Sequence, residues 1–218
     1  MTRYAAPQDG LPPQTQLHTG RAIFTEAYAV IPRGVMTQIV TSALPGWTNT
    51  RAWIIARPLS GFSETFAQLI LEIAPGGGSN TPEPDAGVEG VLFVTDGSLT
   101  LTLPDATHTL TAGGYAYLPP GIQWSLRATG QTPARLHWIR KLYEPAPGWA
   151  TPDAFVTNET RIAPNPMPDT QGRWATTRFV ENDDLRHDMQ VNIVTFQPGG
   201  VIPFEETQVM EHGLYVLE

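Results

Sequence analysis

Apolar and polar residues alternate in short runs along much of the chain, and each run ends at turn-forming residues. The run SLTLTL places Leu99, Leu101 and Leu103 on one face, and the run before it closes on Asp-Gly, a favoured hairpin turn. Such runs recur about every 8–12 residues, and no stretch has a convincing helical period. The pattern predicts an all-β sandwich or small barrel, with strands at residues 66–73, 90–97, 98–103, 107–112, 115–121, 134–143, 174–180 and 189–200.

Residues 144–173 interrupt this pattern. They contain six prolines, at positions 145, 147, 152, 164, 166 and 168, and they show little periodicity. This composition is typical of an ordered but irregular connector. We therefore expect three parts, which are an N-terminal half at 1–143, the connector at 144–173 and the start of a C-terminal half at 174–218.

The two halves share an internal repeat. LILEIAPGGG (69–78) is similar to VNIVTFQPGG (191–200), since each is a β-run that ends in Pro-Gly-Gly. EGVLFVTD (89–96) matches EHGLYVLE (211–218) at an offset of 122 positions, which is 211 minus 89. Two halves built on one plan are therefore expected. A second barrel that stopped at residue 218 would expose strand edges, so we expect either a longer protein or another chain that completes the sheet.

Composition narrows the functional classes. The 218 residues carry a net charge of −8, which argues against binding to nucleic acid or to an anionic membrane surface. With no Cys in the sequence, disulfides, zinc–thiolate sites and thiol nucleophiles are excluded. The N-terminus has no apolar signal-peptide core, and no apolar run reaches the roughly 18 residues of a membrane span. We therefore expect a soluble cytoplasmic protein.

An acidic cluster that contains a histidine carries the candidate chemistry. Glu206, Gln208 and His212 have the same parity, so a regular strand would project them from one side, with Glu205 and Glu211 on the other. A carboxylate, an amide oxygen and an imidazole that converge inside a barrel can bind a divalent metal such as Mn, Fe or Ni. Zinc fits less well without thiolates and with a single histidine.

Spacing alone favours a simpler interpretation, a solvated strand face on which His212 makes an ordinary hydrogen bond. The offset of 122 places Pro84, Ala86 and Gly90 at the corresponding positions of the first half. None of these three residues can coordinate a metal through its side chain. If either half binds a metal, it is therefore the second.

Two stretches resemble cupin motifs. GGYAYLPPGIQW (113–124) is similar to the second motif, G-x5-P-x-G-x2-H, except that Trp124 stands where the motif has a ligand histidine. GGVIPFEETQVMEHGLYVLE (199–218) is similar to the first motif, G-x5-H-x-H-x3-E-x6-G, whose closing glycine would be one position beyond residue 218. With its stretch E-T-x-V-x-E-H-G (206–213), the chain as a whole resembles the bicupin family of (S)-ureidoglycine aminohydrolases, also known as glyoxylate-induced proteins.

This resemblance implies a bicupin of two β-barrels, of which the first is metal-free and the second holds Mn2+. It also implies the hydrolytic release of ammonia from ureidoglycine, a small-molecule substrate, to give ureidoglycolate in purine (allantoin) catabolism. Glu206 and His212 match family metal ligands, Gln208 replaces a family histidine, and a fourth ligand, a glutamine, would lie beyond residue 218. By position, Glu206 either coordinates the metal or accepts a proton during catalysis. Because bicupins often self-associate, a homo-oligomer is expected.

Two alternatives stay open on the sequence alone. The first is a cupin-fold binding or sensor protein without catalysis, which Gln208 favours because a neutral amide is a weaker metal ligand than an imidazole. The second is a metal-dependent cupin enzyme that acts on another small polar metabolite. His108 and His137 are expected to be structural, and for His187, which lies near the second half in sequence, a surface role is favoured over a place at the pocket.

Overall fold

The computed structural model describes residues 22–25, 28–36, 41–58, 65–202 and 211–217. Within these ranges the fold is all-β, which confirms the prediction, and the helical elements are single 3-10 turns at Arg33–Val35 and Glu159–Arg161. No helix in the described ranges is long and apolar enough to cross a membrane. The strands are β1 (Ile23–Phe24), β2 (Ala29–Val30), β3 (Trp47–Ala56), β4 (Phe66–Ser79), β5 (Val88–Asp96), β6 (Ser98–Thr102), β7 (Thr107–Thr111), β8 (Gly114–Leu118), β9 (Ser125–Ala128), β10 (Ala134–Leu142), β11 (Phe155–Asn158), β12 (Asn165–Pro166), β13 (Trp174–Arg178) and β14 (Asn192–Phe196).

Nine of these strands form one antiparallel sheet that curls into a nearly closed barrel. Its order is β11-β8-β5-β10-β4-β9-β6-β7, and β3 pairs with β4. The long strand β4 joins the parts of the sheet, because it pairs with β3 and β10 and then, at Gly78 and Ser79, with β9. The sequence predicts that this strand ends at residue 73. It continues to Ser79 because Gly76 and Gly78 adopt positive φ angles of 74° and 136°, which few other residues tolerate.

Side chains alternate between the two faces of this sheet. In β5, Leu92 points inward into the barrel core, while Val91 and Phe93 point outward. In β8, Tyr115 and Tyr117 also point outward, and these four residues form a second buried group that we call the outward cluster. Each large apolar side chain that is buried in this way contributes roughly 1.5–3 kcal/mol. The first barrel thus has an inner core and, in addition, an outer surface that another part of the chain must cover.

Residues that follow the connector provide this cover. Phe179, Met189, Val191 and Ile193 pack against the outward cluster. Strands β13 and β14 of this part form a three-stranded antiparallel sheet with β12 of the connector, in the order β12-β13-β14. Within the predicted connector, β11 extends the first sheet by pairing with β8. The sequence pattern does not predict this strand, since the four residues FVTN show no alternation.

Residues 211–217 depart from the repeat, which predicts a strand there. These residues form no ladder with any other described part of the chain. Their contacts are instead with the first half: Glu211 accepts hydrogen bonds from the backbone N–H and the hydroxyl of Thr65 at 2.8 and 2.6 Å. The aromatic ring of Tyr215 packs against that of His137. The structure assigns no strand to 211–217, so the strand prediction is wrong there, and Glu211 and Tyr215 contact the first half through their side chains.

Candidate functional site

The first half contains a cavity where the cupin motifs would place a ligand site. Pro84, Ala86 and Gly90, which the repeat aligns with the candidate ligands of the second half, line a cavity of about 40 Å³. Trp124, which replaces the histidine of the second motif, lines the same cavity. The fold therefore brings four ligand positions from two motifs to one place, but none of these four side chains offers an imidazole or a carboxylate.

The carboxylates in the wall of this cavity are engaged by other groups. Glu83 forms an ion pair with Arg140, in which its Oε2 lies 2.6 Å from Nε. The guanidinium of Arg140 also lies 5.3 Å from the ring centroid of Trp138, within the range of a cation–π contact. Asp85 accepts a hydrogen bond from the backbone N–H of Gly87 at 2.9 Å. The first cavity thus has the position of a cupin site, with walls that are mainly apolar and with carboxylates that other groups already engage.

His212 lies at a second and larger cavity of about 180 Å³. The N-terminal hairpin contributes Tyr28 to its wall, strand β4 contributes Phe66 and Gln68, and residues 212–215 close one side. His212 is exposed, whereas Gln68 is buried with 6% of its surface accessible. Most residues that line the cavity are apolar or aromatic, and an imidazole from residue 212 and an amide from β4 contribute polar groups.

The three predicted metal ligands are only partly covered by the structure. His212 is described, while Glu206 and Gln208 lie outside the described residues. Among the residues that are described, no three His, Asp or Glu side chains are placed to hold a metal ion. The donor chemistry of the predicted set is one carboxylate oxygen, one amide oxygen and one imidazole nitrogen, which suits Mn2+ and similar divalent metals.

A buried polar cluster on the outward face of the first sheet is missed by sequence reasoning. Glu89 is fully buried, and its Oε2 accepts a hydrogen bond from the hydroxyl of Tyr117 at 2.7 Å. Lys141 donates from Nζ to Oδ2 of Asp188 at 2.8 Å. Burial and, next, the neighbouring carboxyl of Asp188 raise the pKa of Glu89 to about 9. The signal in the sequence is the single glutamate within the apolar run VEGVLFV. In the repeat this glutamate is only the residue that aligns with Glu211.

Known proteins resemble this chain in sequence and in fold. The cupin domain model matches residues 69–140. The (S)-ureidoglycine aminohydrolases of Escherichia coli K12 and Arabidopsis thaliana are 28% and 29% identical, each over 82% of this chain. The solved structure of a Pseudomonas aeruginosa protein named as glyoxylate-induced is 58% identical, with a TM-score of 0.81, and the match covers 96% of this chain and 76% of that chain. The chain belongs to the (S)-ureidoglycine aminohydrolase, or glyoxylate-induced protein, family of cupins.

Membership of the aminohydrolase family confirms the predicted family and the cupin fold. The curated relatives are named as enzymes that act on a C–N bond, and the cupin domain together with these relatives points to a metal cofactor. The chain spans 67% of the Escherichia coli aminohydrolase and 57%, slightly more than half, of the Arabidopsis thaliana one.

In this aminohydrolase-family fold the side chain of His187 is buried, so the expectation of a surface position is wrong. Its side chain is 5% exposed, and its ring lies edge-on to Tyr117 with 4.5 Å between the centroids. Phe155 makes a second edge contact at 6.2 Å. The aromatic rings cover the imidazole and shield it from water. Burial lowers the pKa of His187, and the nearby Asp184 carboxylate only partly opposes this effect.

We expect His137 to weaken the fold in acid. This residue is 6% exposed, and burial lowers its pKa to about 4 from an ordinary value of 6.5. Because the folded pKa is below the unfolded one, the stability contributed by the neutral ring is complete above pH 6.5 and is lost as the pH falls towards 4. The loss should approach about 3 kcal/mol in the free energy of unfolding.

Urea denaturation of the wild type and of His137→Gln across this pH range measures the effect. The glutamine has no proton to gain, so the free energy of unfolding of the variant should fall less steeply with acid than that of the wild type. Equal slopes for the two proteins would contradict the assignment, whatever the absolute stability of the variant.

Proposed function

We propose that this protein is a metal-dependent hydrolase that releases ammonia from (S)-ureidoglycine to give ureidoglycolate, in purine (allantoin) catabolism. One observation carries the proposal: similarity to the Escherichia coli (S)-ureidoglycine aminohydrolase extends over 181 residues, 82% of the chain. This match is much longer than the cupin domain match at 69–140, so it reflects more than a shared barrel.

Glu206, Gln208 and His212 would hold the metal, and Mn2+ is the ion we propose because two oxygen donors and one imidazole nitrogen suit it. When bound, the metal would act as a Lewis acid and polarise the substrate. Glu206 is the carboxylate in this set that can accept a proton as water adds and the amine leaves. Gln68 lines the same cavity as His212, and its amide would hydrogen-bond a small polar substrate there.

A division of labour between the two halves is part of the proposal. Residues 1–143 would form a cupin half that serves as a scaffold, residues 144–173 the connector, and residues 174–218 the start of the half that binds the metal. The wall of the first cavity supports this division, since Trp124 occupies a motif ligand position there and Glu83 is paired with Arg140. We further propose a cytoplasmic homo-oligomer, whose mass light scattering would measure.

A second candidate function is a cupin-fold protein that binds or senses a small metabolite without catalysis. Gln208 is the specific observation that favours it. The family has an imidazole at this position, and a neutral amide oxygen is a weaker donor to Mn2+. A protein that had lost metal affinity in this way could keep its pocket and lose its chemistry.

Metal content and ammonia release, measured together on the purified full-length protein, distinguish these functions. After growth with manganese, we expect stoichiometric Mn2+ and ammonia release from ureidoglycine. Gln208→His should bind Mn2+ more tightly, by roughly 10-fold or more, because imidazole replaces an amide. His212→Ala, with one ligand fewer, should lose both metal and activity.

Each result has a different meaning. Stoichiometric metal with no ammonia release would favour a cupin enzyme for another small polar metabolite. Absence of both metal and activity would overturn the enzyme proposal in favour of the binding or sensor protein. If Gln208→His leaves Mn2+ affinity unchanged, the side chain at position 208 does not face the metal.

A further inference from the structure

Two carboxyl groups meet where the second half of the chain covers the first sheet, a contact that we call the junction. Glu89 lies on β5, opposite Lys141 on β10 in the antiparallel register. Tyr117 on β8 contacts the same carboxyl group. Asp188 approaches from residues 179–193, which we call the covering segment, at a point between β13 and β14. The junction therefore joins three neighbouring strands of the first sheet to a distant part of the chain through polar as well as apolar contacts.

These hydrogen bonds engage one oxygen of each carboxyl group and leave the other without a donor within the described part of the chain. Oε2 of Glu89 accepts from the hydroxyl of Tyr117 at 2.7 Å. Oδ2 of Asp188 accepts from Nζ of Lys141 and from the backbone N–H of Glu144, both at 2.8 Å. The remaining oxygens, Oε1 of Glu89 and Oδ1 of Asp188, are buried without another partner among the described residues. A side-chain hydrogen bond couples the two carboxyl groups. It requires a proton on one of them, because two carboxylates are both acceptors.

The surroundings place this proton on Glu89. Asp188 has an ammonium group and a backbone N–H as donors, and both favour its charged form. Burial acts to raise the pKa of Asp188, but the hydrogen bonds from Glu89, Lys141 and the Glu144 backbone outweigh it and lower the pKa. Glu89 receives only a hydroxyl hydrogen bond, and its burial raises its pKa to about 9. Glu89 is therefore the neutral member of the pair and Asp188 the anion.

The tyrosines of the first sheet that face the pair do not change charge at neutral pH. Burial raises the pKa of Tyr115 and of Tyr117, so both phenols stay protonated. Burial also raises the pKa of Tyr143, which follows β10 and donates to the backbone carbonyl of Arg186 at 3.0 Å. Lys141 provides the one ammonium group that contacts the pair among the described residues.

The covering segment adds three more charged or titratable groups. Asp184 and Arg186 form an ion pair at 2.7 Å. His187, adjacent to Asp188 in the chain, has a pKa that burial lowers, so its ring stays neutral above its ordinary titration range. Glu89 thus has a pKa of about 9, so it is the carboxyl group of the pair that loses its proton at alkaline pH.

We propose that Glu89 and Asp188 share one proton across the junction and act as a pH-sensitive lock between the covering segment and the first sheet. When the proton leaves, two carboxylates face each other in a buried site and repel each other, so the covering segment loosens from the sheet. The folded pKa of Glu89, about 9, is above its ordinary value of 4.5. The stabilisation by this proton is therefore complete below pH 4.5 and is lost as the pH rises through about 9. The lock does not depend on the proposed activity.

Glu89→Gln tests the lock, because the carboxamide keeps the size of the protonated carboxyl group, donates an N–H to Asp188 and cannot lose a proton. Between about pH 6 and 9, the unfolding equilibrium constant of the wild type should rise about tenfold per pH unit relative to that of the variant. Glu181→Gln is the matched control, since Glu181 is exposed and should keep the wild-type profile. Hydrogen exchange should show, in the wild type alone, that the amides of residues 184–191 lose protection at alkaline pH.

Parallel profiles for the wild type and Glu89→Gln would overturn the proposal. If the variant fails to fold, infrared spectroscopy of the wild type decides instead. A buried carboxylic acid should give a C=O band at neutral pH that disappears as the pH rises through about 9. A wild-type protein without this band would equally overturn the shared proton.

Discussion

Replacing Tyr115 with alanine is expected to lower the free energy of unfolding by about 3–5 kcal/mol. The residue is fully buried, and its ring lies between two other aromatic rings. Phe179 stacks on it with 4.0 Å between centroids and 9° between planes, and Phe155 stacks at 5.6 Å. Alanine would leave a cavity at the junction and remove the surface on which Phe179 packs. Urea denaturation at neutral pH measures the loss.

Tyr115→Phe is the matched control for this prediction. The hydroxyl of Tyr115 is buried and has no hydrogen-bond partner among the described residues. Removing it leaves the aromatic stack intact and eliminates a polar group that is buried without compensation. We expect this variant to be as stable as the wild type or more stable by up to about 1 kcal/mol. A large loss in Tyr115→Phe, or a loss below 1 kcal/mol in Tyr115→Ala, would show that the stack does not hold the junction.

The barrel could be predicted from the sequence because its strands are short and turns separate them. The run at 98–103 corresponds to β6, and the run at 115–121 overlaps β8. A strand with one face in a core must alternate polar and apolar residues, so its periodicity is visible without any knowledge of its neighbours. The cupin motifs added the position of the first cavity, since Trp124 and Gly90 do line it together.

The junction could not be predicted in the same way. Glu89 and Asp188 come together only because the covering segment packs on the outward face of β5, and no local pattern encodes that contact. For the same reason His187 was expected on the surface, although Tyr117 covers its ring. Local periodicity specifies which face of a strand is apolar, but it does not identify what packs against that face.

The candidate metal site is an intermediate case. Donor chemistry and motif spacing select Glu206, Gln208 and His212 as a set, and His212 does line a cavity with Gln68. Glu206 and Gln208 lie outside the described residues, so their part in the set stays a prediction. Measurements of metal binding and of activity, rather than the fold, test this set of ligands.

Gly78→Ala should lower the free energy of unfolding by on the order of 4 kcal/mol. This loss is similar to that expected for Tyr115→Ala, but its physical reason is different. Gly78 has a φ of 136°, a conformation that residues with a Cβ rarely adopt. It also lies where β4 passes from β3 to β9, paired with Thr48 on one side and Arg127 on the other. A Cβ at this position would collide with the backbone carbonyl oxygen of Leu126. Because the obstacle is backbone, relief requires β4 and β9 to separate and the barrel to open.

The same substitution at Gly76 separates backbone strain from collision. Gly76 lies two positions earlier in β4 with a φ of 74°, but a Cβ there would meet no atom within 4 Å. Gly76→Ala should therefore lower the free energy of unfolding by only about 1 kcal/mol, which is the usual cost of a left-handed backbone conformation for a residue with a Cβ. The comparison requires urea midpoints for the two variants and the wild type. Equal losses of stability would mean that backbone strain alone requires glycine at position 78. A loss for Gly78→Ala several times that for Gly76→Ala would show that the close approach of β9 requires glycine where the barrel closes.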